Sequence, residues 1–216
     1  MFKQFRPLKS NEFFVVGCDT SAGLSDYCTA QFLSKTYLDV PLVYQSPVIA
    51  TEMTNIIFPV LVKINKVTGV QPVIAYERAN GGLFEMDRLS SLNRNNDFTI
   101  FQMPVYGQID PSDPTKLGWD TNTASRPKML SDLKEAIDKR LIKIYDQTTI
   151  DELFSFIIAK TTMSEKAQAE VGAHDDNVMA LAIAWQLYQI CKQPETNQLN
   201  FQVQQILNQR RNEEIY

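Results

Sequence analysis

The stretch "EFFVVGCDT", residues 12–20, is an apolar run that closes on an acid, Asp19. A run without polar alternation fits a strand covered on both faces, which places it at the centre of a sheet rather than its edge. Turn chemistry follows at Gly23 and Asp26. "YCTAQFLS" (27–34) and "VPLVYQSPVI" (40–49) read as two more strands. The short links among the three predict an antiparallel meander.

The period then changes. In "ATEMTNIIFPVLVKINKVTG" (50–69), Ile56, Ile57, Val60, Leu61 and Ile64 share one helical face, with Thr51 as N-cap and Gly69 beyond the C-terminus. Pro59 inside that helix predicts a kink or a broken ladder. "QPVIAYE" (71–77) is a short strand that again ends on an acid, Glu77. "RANGGLFEMDRLSSL" (78–92) reads as a turn and a helix, and "FTIFQM" (98–103) as a buried strand. Residues 104–125 are a long Pro-, Gly- and Asp-rich loop, and loops of that length are usually functional. Three helices complete the domain. Leu130, Leu133 and Ile137 mark the first, a capping box Thr149–Glu152 opens the second, and Val178, Leu181, Ala182, Trp185 and Tyr188 line the third. The expected fold class is α/β. A mixed central sheet of five or slightly more strands, a meander plus parallel strands, carries helices on both faces. Residues 1–12 read as a polar leader, 13–195 as the domain and 196–216 as a polar tail.

Composition narrows the function. Of 216 residues, 44 % are hydrophobic, enough for a substantial core, and the formal net charge is −4. That balance argues against a protein whose main task is gripping nucleic acid, which needs clustered Lys and Arg. It permits an enzyme acting on nucleic acid, because bound cations restore positive potential around a carboxylate cluster. Three scattered cysteines and one histidine make neither a disulfide framework nor a zinc cluster. No apolar run reaches membrane-spanning length and the N-terminus lacks a signal-peptide core, so no membrane association and a reducing, cytoplasmic setting are expected. Neither a dinucleotide-binding nor a Walker A glycine motif occurs.

Each acid has an ordinary explanation on its own. Asp19 would initiate a turn, Glu77 would pair with Arg78 at the surface, and Asp175 and Asp176 in "GAHDDNVMALAIAW" (172–185) would favour a helix N-terminus. Their combination suggests more. If the strands ending in Asp19 and Glu77 are neighbours and the helix starting at Asp175–Asp176 crosses their ends, the carboxylates converge. Converging carboxylates stay ionised only if cations compensate them. Oxygen donors select Mg²⁺ or Mn²⁺, and two such ions about 3.5–4 Å apart would clamp the attacking and leaving oxygens of a phosphodiester.

"VVGCDTSAGLSDYC", "VIAYERANGG", "LGWDTNTASRPKMLSDL", "TTIDELFSF" and "GAHDDNVMALAIA" occur in order and together resemble the ribonuclease H-like nuclease domain of phage terminase large subunits. The resemblance covers residues 13 to about 190. It implies a metal-dependent endonuclease that cuts concatemeric viral DNA during genome packaging in the host cytoplasm. Asp19 would bridge two Mg²⁺ or Mn²⁺ ions, Glu77 would hold one and Asp176 the other, with Asp175 an auxiliary ligand. Asp26 and His174 would be auxiliary groups, and Lys116, Arg126 and Lys128 would touch the DNA backbone. The implied partners are double-stranded DNA, a terminase ATPase motor, a small terminase subunit and a portal protein, on which the 196–216 tail would dock. A Holliday-junction resolvase with a similar carboxylate cluster, and a docking module that no longer cuts, are the alternatives.

Overall fold

The computed structural model describes residues 1–21, 26–103, 117–162 and 175–193, with side chains in the fourth helix up to residue 155. Among these residues seven strands form one mixed sheet: β1 (Phe2–Gln4), β2 (Phe14–Asp19), β3 (Cys28–Ser34), β4 (Asp39–Ser46), β5 (Val73–Tyr76), β6 (Thr99–Ile100) and β7 (Lys143–Ile144). Their order is β1-β4-β3-β2-β5-β6, and β7 shares the outer edge of β4 with β1. The meander β2-β3-β4 is antiparallel, whereas β5 lies parallel to β2, and β6 parallel to β5. The helices are α1 (Ala50–Thr68), α2 (Gly82–Leu92), α3 (Ser125–Asp138), α4 (Gln147–Thr162) and α5 (Asp176–Ile190). Among the described residues no helix is long and apolar enough to cross a membrane.

Strand alternation sorts the sheet's side chains into two cores. Phe14, Val16 and Cys18 of β2 and Ile74 and Tyr76 of β5 join Met53, Ile57, Leu61 and Ile64 of α1 and Met86 and Leu89 of α2. Phe13 and Val15, with Val73 and Ala75 of β5, instead face Met129, Leu130 and Leu133 of α3, Leu153 of α4 and the apolar body of α5. All six residues of β2 are buried, as its uninterrupted apolar sequence predicts for a central strand.

Several local expectations are corrected. Phe2–Gln4, inside the stretch read as a leader, pair with Leu42–Tyr44. Arg6 then makes a two-pronged contact with Asp39 at 2.6 Å on each arm and also binds the fully buried Glu12. Helix α1 begins at Ala50 after Ile49, and Thr51 is not its cap: the Thr51 hydroxyl donates to Glu85 at 2.6 Å. The ladder is not broken at Pro59, which lies within the single helix Ala50–Thr68. "FTIFQM" yields only the two-residue β6 plus an isolated bridge at Gln102. The Thr149–Glu152 capping box does not form. Asp146 accepts from the Thr149 amide at 3.0 Å and hydroxyl at 2.9 Å, leaving Glu152 for another task.

Candidate active site

Alternation also aims the acids. Asp19 has the parity of Phe13 and Val15, and Glu77, one residue past β5, has that of Val73 and Ala75, so both belong to the α5 face. The parallel register pairs Cys18 with Tyr76, and the Glu77 amide donates to the Cys18 carbonyl at 2.8 Å, which brings the two acids out side by side. Thr29 and Gln31 of β3 share the parity of Leu33 and complete that face.

Helix α5 delivers the third wall. It crosses β2 at Gly17, where a Cβ would lie 2.2 Å from the Ala180 carbonyl oxygen and 2.4 Å from the Ala184 nitrogen. Glycine opposite two alanines therefore lets helix and strand backbones approach closely. Asp176, one turn before Ala180, arrives beside Asp19, two residues beyond Gly17. The Thr29 hydroxyl donates to the Asp176 carbonyl at 2.8 Å, and the Tyr27 amide donates to its Oδ2 at 3.4 Å. The loops after β2 and β5 are stitched together where they meet. The Thr20 hydroxyl donates to the Ala79 carbonyl at 2.9 Å, and the Asn80 side-chain amide donates to the Thr20 carbonyl at 3.1 Å. Gly82 allows α2 to start against this corner, since a Cβ there would fall 1.8 Å from the Glu77 carbonyl oxygen.

The electrostatics record the convergence. Burial pushes the Asp19 carboxyl well above the ordinary aspartate range, a side-chain hydrogen bond shared with Glu77 pushes it further, and the charges of Glu77, Asp176 and Asp175 add to that. Asp19 and Asp176 are both buried, and Glu77 and Asp175 are half-buried. Even so, among the described residues no three His, Cys, Asp or Glu side chains already stand as a ready-made ligand group. The two observations agree physically, because repulsion between carboxylates acts over longer distances than a coordination bond. The donor set is all oxygen, which fits a hard divalent cation.

The ordinary explanations of the acids fare unevenly. Asp175 occupies the N-cap of α5 but makes no side-chain capping bond, and instead accepts from Arg126 at 2.7 Å. Arg78, the surface partner expected for Glu77, directs its Nε to the Leu117 carbonyl at 2.9 Å. Lys128 pairs with Asp132 at 2.5 Å and is mostly exposed. Asp26 is exposed, and its carbonyl accepts from the Ser21 hydroxyl at 3.1 Å. Lys116, His174 and the 196–216 tail lie outside the described residues.

A carboxylate and two amides escaped the sequence reading. Both Glu152 oxygens accept from Asn177, from its amide at 2.8 Å and its side-chain Nδ2 at 2.6 Å. The Asn177 Oδ1 in turn accepts from Gln31 at 3.0 Å. The signal available was a polar residue in an apolar setting: Gln31 interrupts the inward face of a strand.

Solved structures share this fold over most of the chain. The large terminase nuclease from thermophilic phage G20c with bound cobalt matches with a TM-score of 0.57 at 16 % identity, covering 85 % of this chain and 84 % of that one. The Thermus phage P74-26 large terminase nuclease domain matches at 0.56 and 15 % identity, over 89 % and 87 % of the two chains. The fold is that of the terminase nucleases. A third likeness, to the Mn-soaked human cytomegalovirus terminase nuclease domain, has a TM-score of 0.51 at 10 % identity and covers 81 % and 84 %. No protein-family model matches the chain, and no curated protein matches it in sequence. The mixed sheet with helices on both faces expected above is present, with seven strands among the described residues.

Proposed function

We propose that this chain is a divalent-metal-dependent endonuclease that cuts concatemeric viral DNA during genome packaging. The observation that carries the reading is the buried Asp19 carboxyl at the end of the central strand, which the β2–β5 register brings out beside Glu77 and the α5 crossing beside Asp176. Such a group is costly for a fold unless cations are its intended partners. Structures of similar fold are described with bound cobalt, with bound magnesium and as Mn-soaked.

In this reading Asp19, Glu77 and Asp176 would together hold two Mg²⁺ or Mn²⁺ ions, with Asp175 assisting. The ions would supply an activated water and charge stabilisation at the departing 3′ oxygen. The chain's own contribution is placement. Strand parity turns Asp19 and Glu77 the same way, the Gly17 crossing sets the height of Asp176, and Thr29 and Tyr27 hold that residue's carbonyl and carboxylate. Arg126 keeps Asp175 in place and leaves a cation near any phosphate that enters. Duplex DNA is the substrate, and a motor domain, a small terminase subunit and a portal are the partners of the reaction.

Plasmid nicking in Mn²⁺ and Mg²⁺ tests the proposal. Wild type nicks and linearises duplex, whereas Asp19→Ala and Asp176→Ala, each folded by circular dichroism, do not. Cutting that survives either substitution sinks the reading, and cutting confined to four-way junctions replaces it with a junction resolvase.

A further inference from the structure

We infer that Glu152 is a positioning residue which, through Asn177, holds the first turn of α5 so that Asp176 faces Asp19; the inference rests on the metallonuclease reading. Glu152 comes from α4 and is 8 % exposed, and Asn177 is fully buried. The carboxylate takes both the backbone and the side-chain N–H of Asn177, at 2.8 and 2.6 Å. Asn177 directly follows Asp176, so this grip fixes the peptide from which the Asp176 side chain springs.

The grip has a second hand. Gln31 Nε2 donates to the Asn177 Oδ1 and to the Thr149 hydroxyl, both at 3.0 Å. The Thr149 hydroxyl donates to Asp146, and Lys3 of β1 binds the other Asp146 oxygen at 2.7 Å. A chain of polar contacts therefore runs from the sheet's outer strand, beneath α4, to the residue next to Asp176. Thr29 adds an anchor on the Asp176 carbonyl at 2.8 Å.

Helix capping alone does not account for this. Asp175 stands at the N-cap and makes no capping bond, and the first-turn amide is satisfied from another helix. Burying a carboxylate is costly, and for stability alone an apolar residue there is commonly as good or better. What a two-pronged carboxylate adds is orientation of an adjacent ligand, and removing such an outer support typically costs about 10–100-fold in metal affinity or activity.

The experiment is a Mn²⁺ titration of the full chain, by calorimetry and by plasmid nicking, for wild type, Asp176→Ala and Glu152→Gln. The glutamine keeps the shape but sets an amide donor against an Asn177 donor. The expected result is a Mn²⁺ midpoint raised about 10–100-fold in Glu152→Gln, with most of the maximal nicking rate restored at saturating Mn²⁺. A purely structural residue would lower the folded fraction without moving that midpoint. An unshifted midpoint in the folded variant, whatever its maximal rate, overturns the inference and leaves the metallonuclease reading standing. Wild type that neither binds Mn²⁺ nor nicks overturns both. Should Glu152→Gln fail to fold, Gln31→Met removes the opposing hold on Asn177, and the same two readouts decide.

Discussion

The two faces of the sheet carry different kinds of helix. On one face α1 is amphipathic: Met53, Ile57, Leu61 and Ile64 are buried while Glu52, Lys63 and Lys66 stay outside the core. On the other face α5 is buried from Asp176 through Leu187, with the sheet beneath it and α3 and α4 packed against it. An amphipathic helix tolerates small shifts because one side is water. A helix enclosed on all sides has its position set by every neighbour. The acids that the site needs come from the enclosed helix and from the strand ends facing it, so placement is exact where the chemistry is proposed and looser where the helix only covers.

The sharpest way to break that contrast is Gly17→Ala. The added Cβ would meet backbone atoms of α5 at 2.2 and 2.4 Å, and these cannot swing aside as a side-chain tip would. Overpacking of a core typically costs about 1–3 kcal/mol and occasionally more, and a backbone collision belongs at the upper end. The helix must lift, carrying Asp176 from Asp19, and a misplacement of about 1 Å can cost on the order of 100-fold in rate. Melting and plasmid nicking measured on one preparation should show both losses. A variant that keeps wild-type cutting would show that the close crossing does not set the site.

The opposite face supplies the control. Ile57→Ala empties a fully buried position of α1 and should cost about 2–5 kcal/mol of stability. Well below the melting temperature its nicking rate and Mn²⁺ midpoint should match wild type. If cutting falls with stability, the two faces are coupled and the contrast is wrong.

The same contrast decides what could be read from residue order. The three-strand meander, the five helices and the two acids at strand ends are legible because each rests on a run long enough to show its period. Strands β1 and β7 have three and two residues, too few for alternation to show, and of the strand read at 98–103 only Thr99–Ile100 forms. Thr149 and Glu152 have the spacing of a capping box, but Asp146 reaches the free amide first, and Glu152 is taken by Asn177, 25 positions on. Arg126, expected to touch the DNA backbone, lies against Asp175, a pairing across 49 positions that no local spacing announces. Local rules located the acids, and only tertiary contacts reveal which polar side chains hold them in place.

The smallest expected effect sharpens the comparison through pH. Burial raises the Glu152 carboxyl from the ordinary 4.5 to about 7, with the Asp176 charge adding to the rise and the Asn177 donors opposing it. Between those two values the folded chain holds a proton that the unfolded chain has released. Stability from this group is therefore fully present below about 4.5 and is lost as pH rises toward 7. The buried Glu85 and the half-buried Asp132 have lowered values and so lose their stabilisation as pH falls, the opposite direction. Those contributions, and that of Asp19, are common to wild type and Glu152→Gln and largely cancel in the difference. Metal-free denaturant unfolding from pH 4.5 to 7.5 should show the wild type losing stability relative to the variant as pH rises, with the curves running parallel outside that window. A flat difference would mean that Glu152 meets water in solution. The enclosed face would then be open at the corner where Asp176 begins.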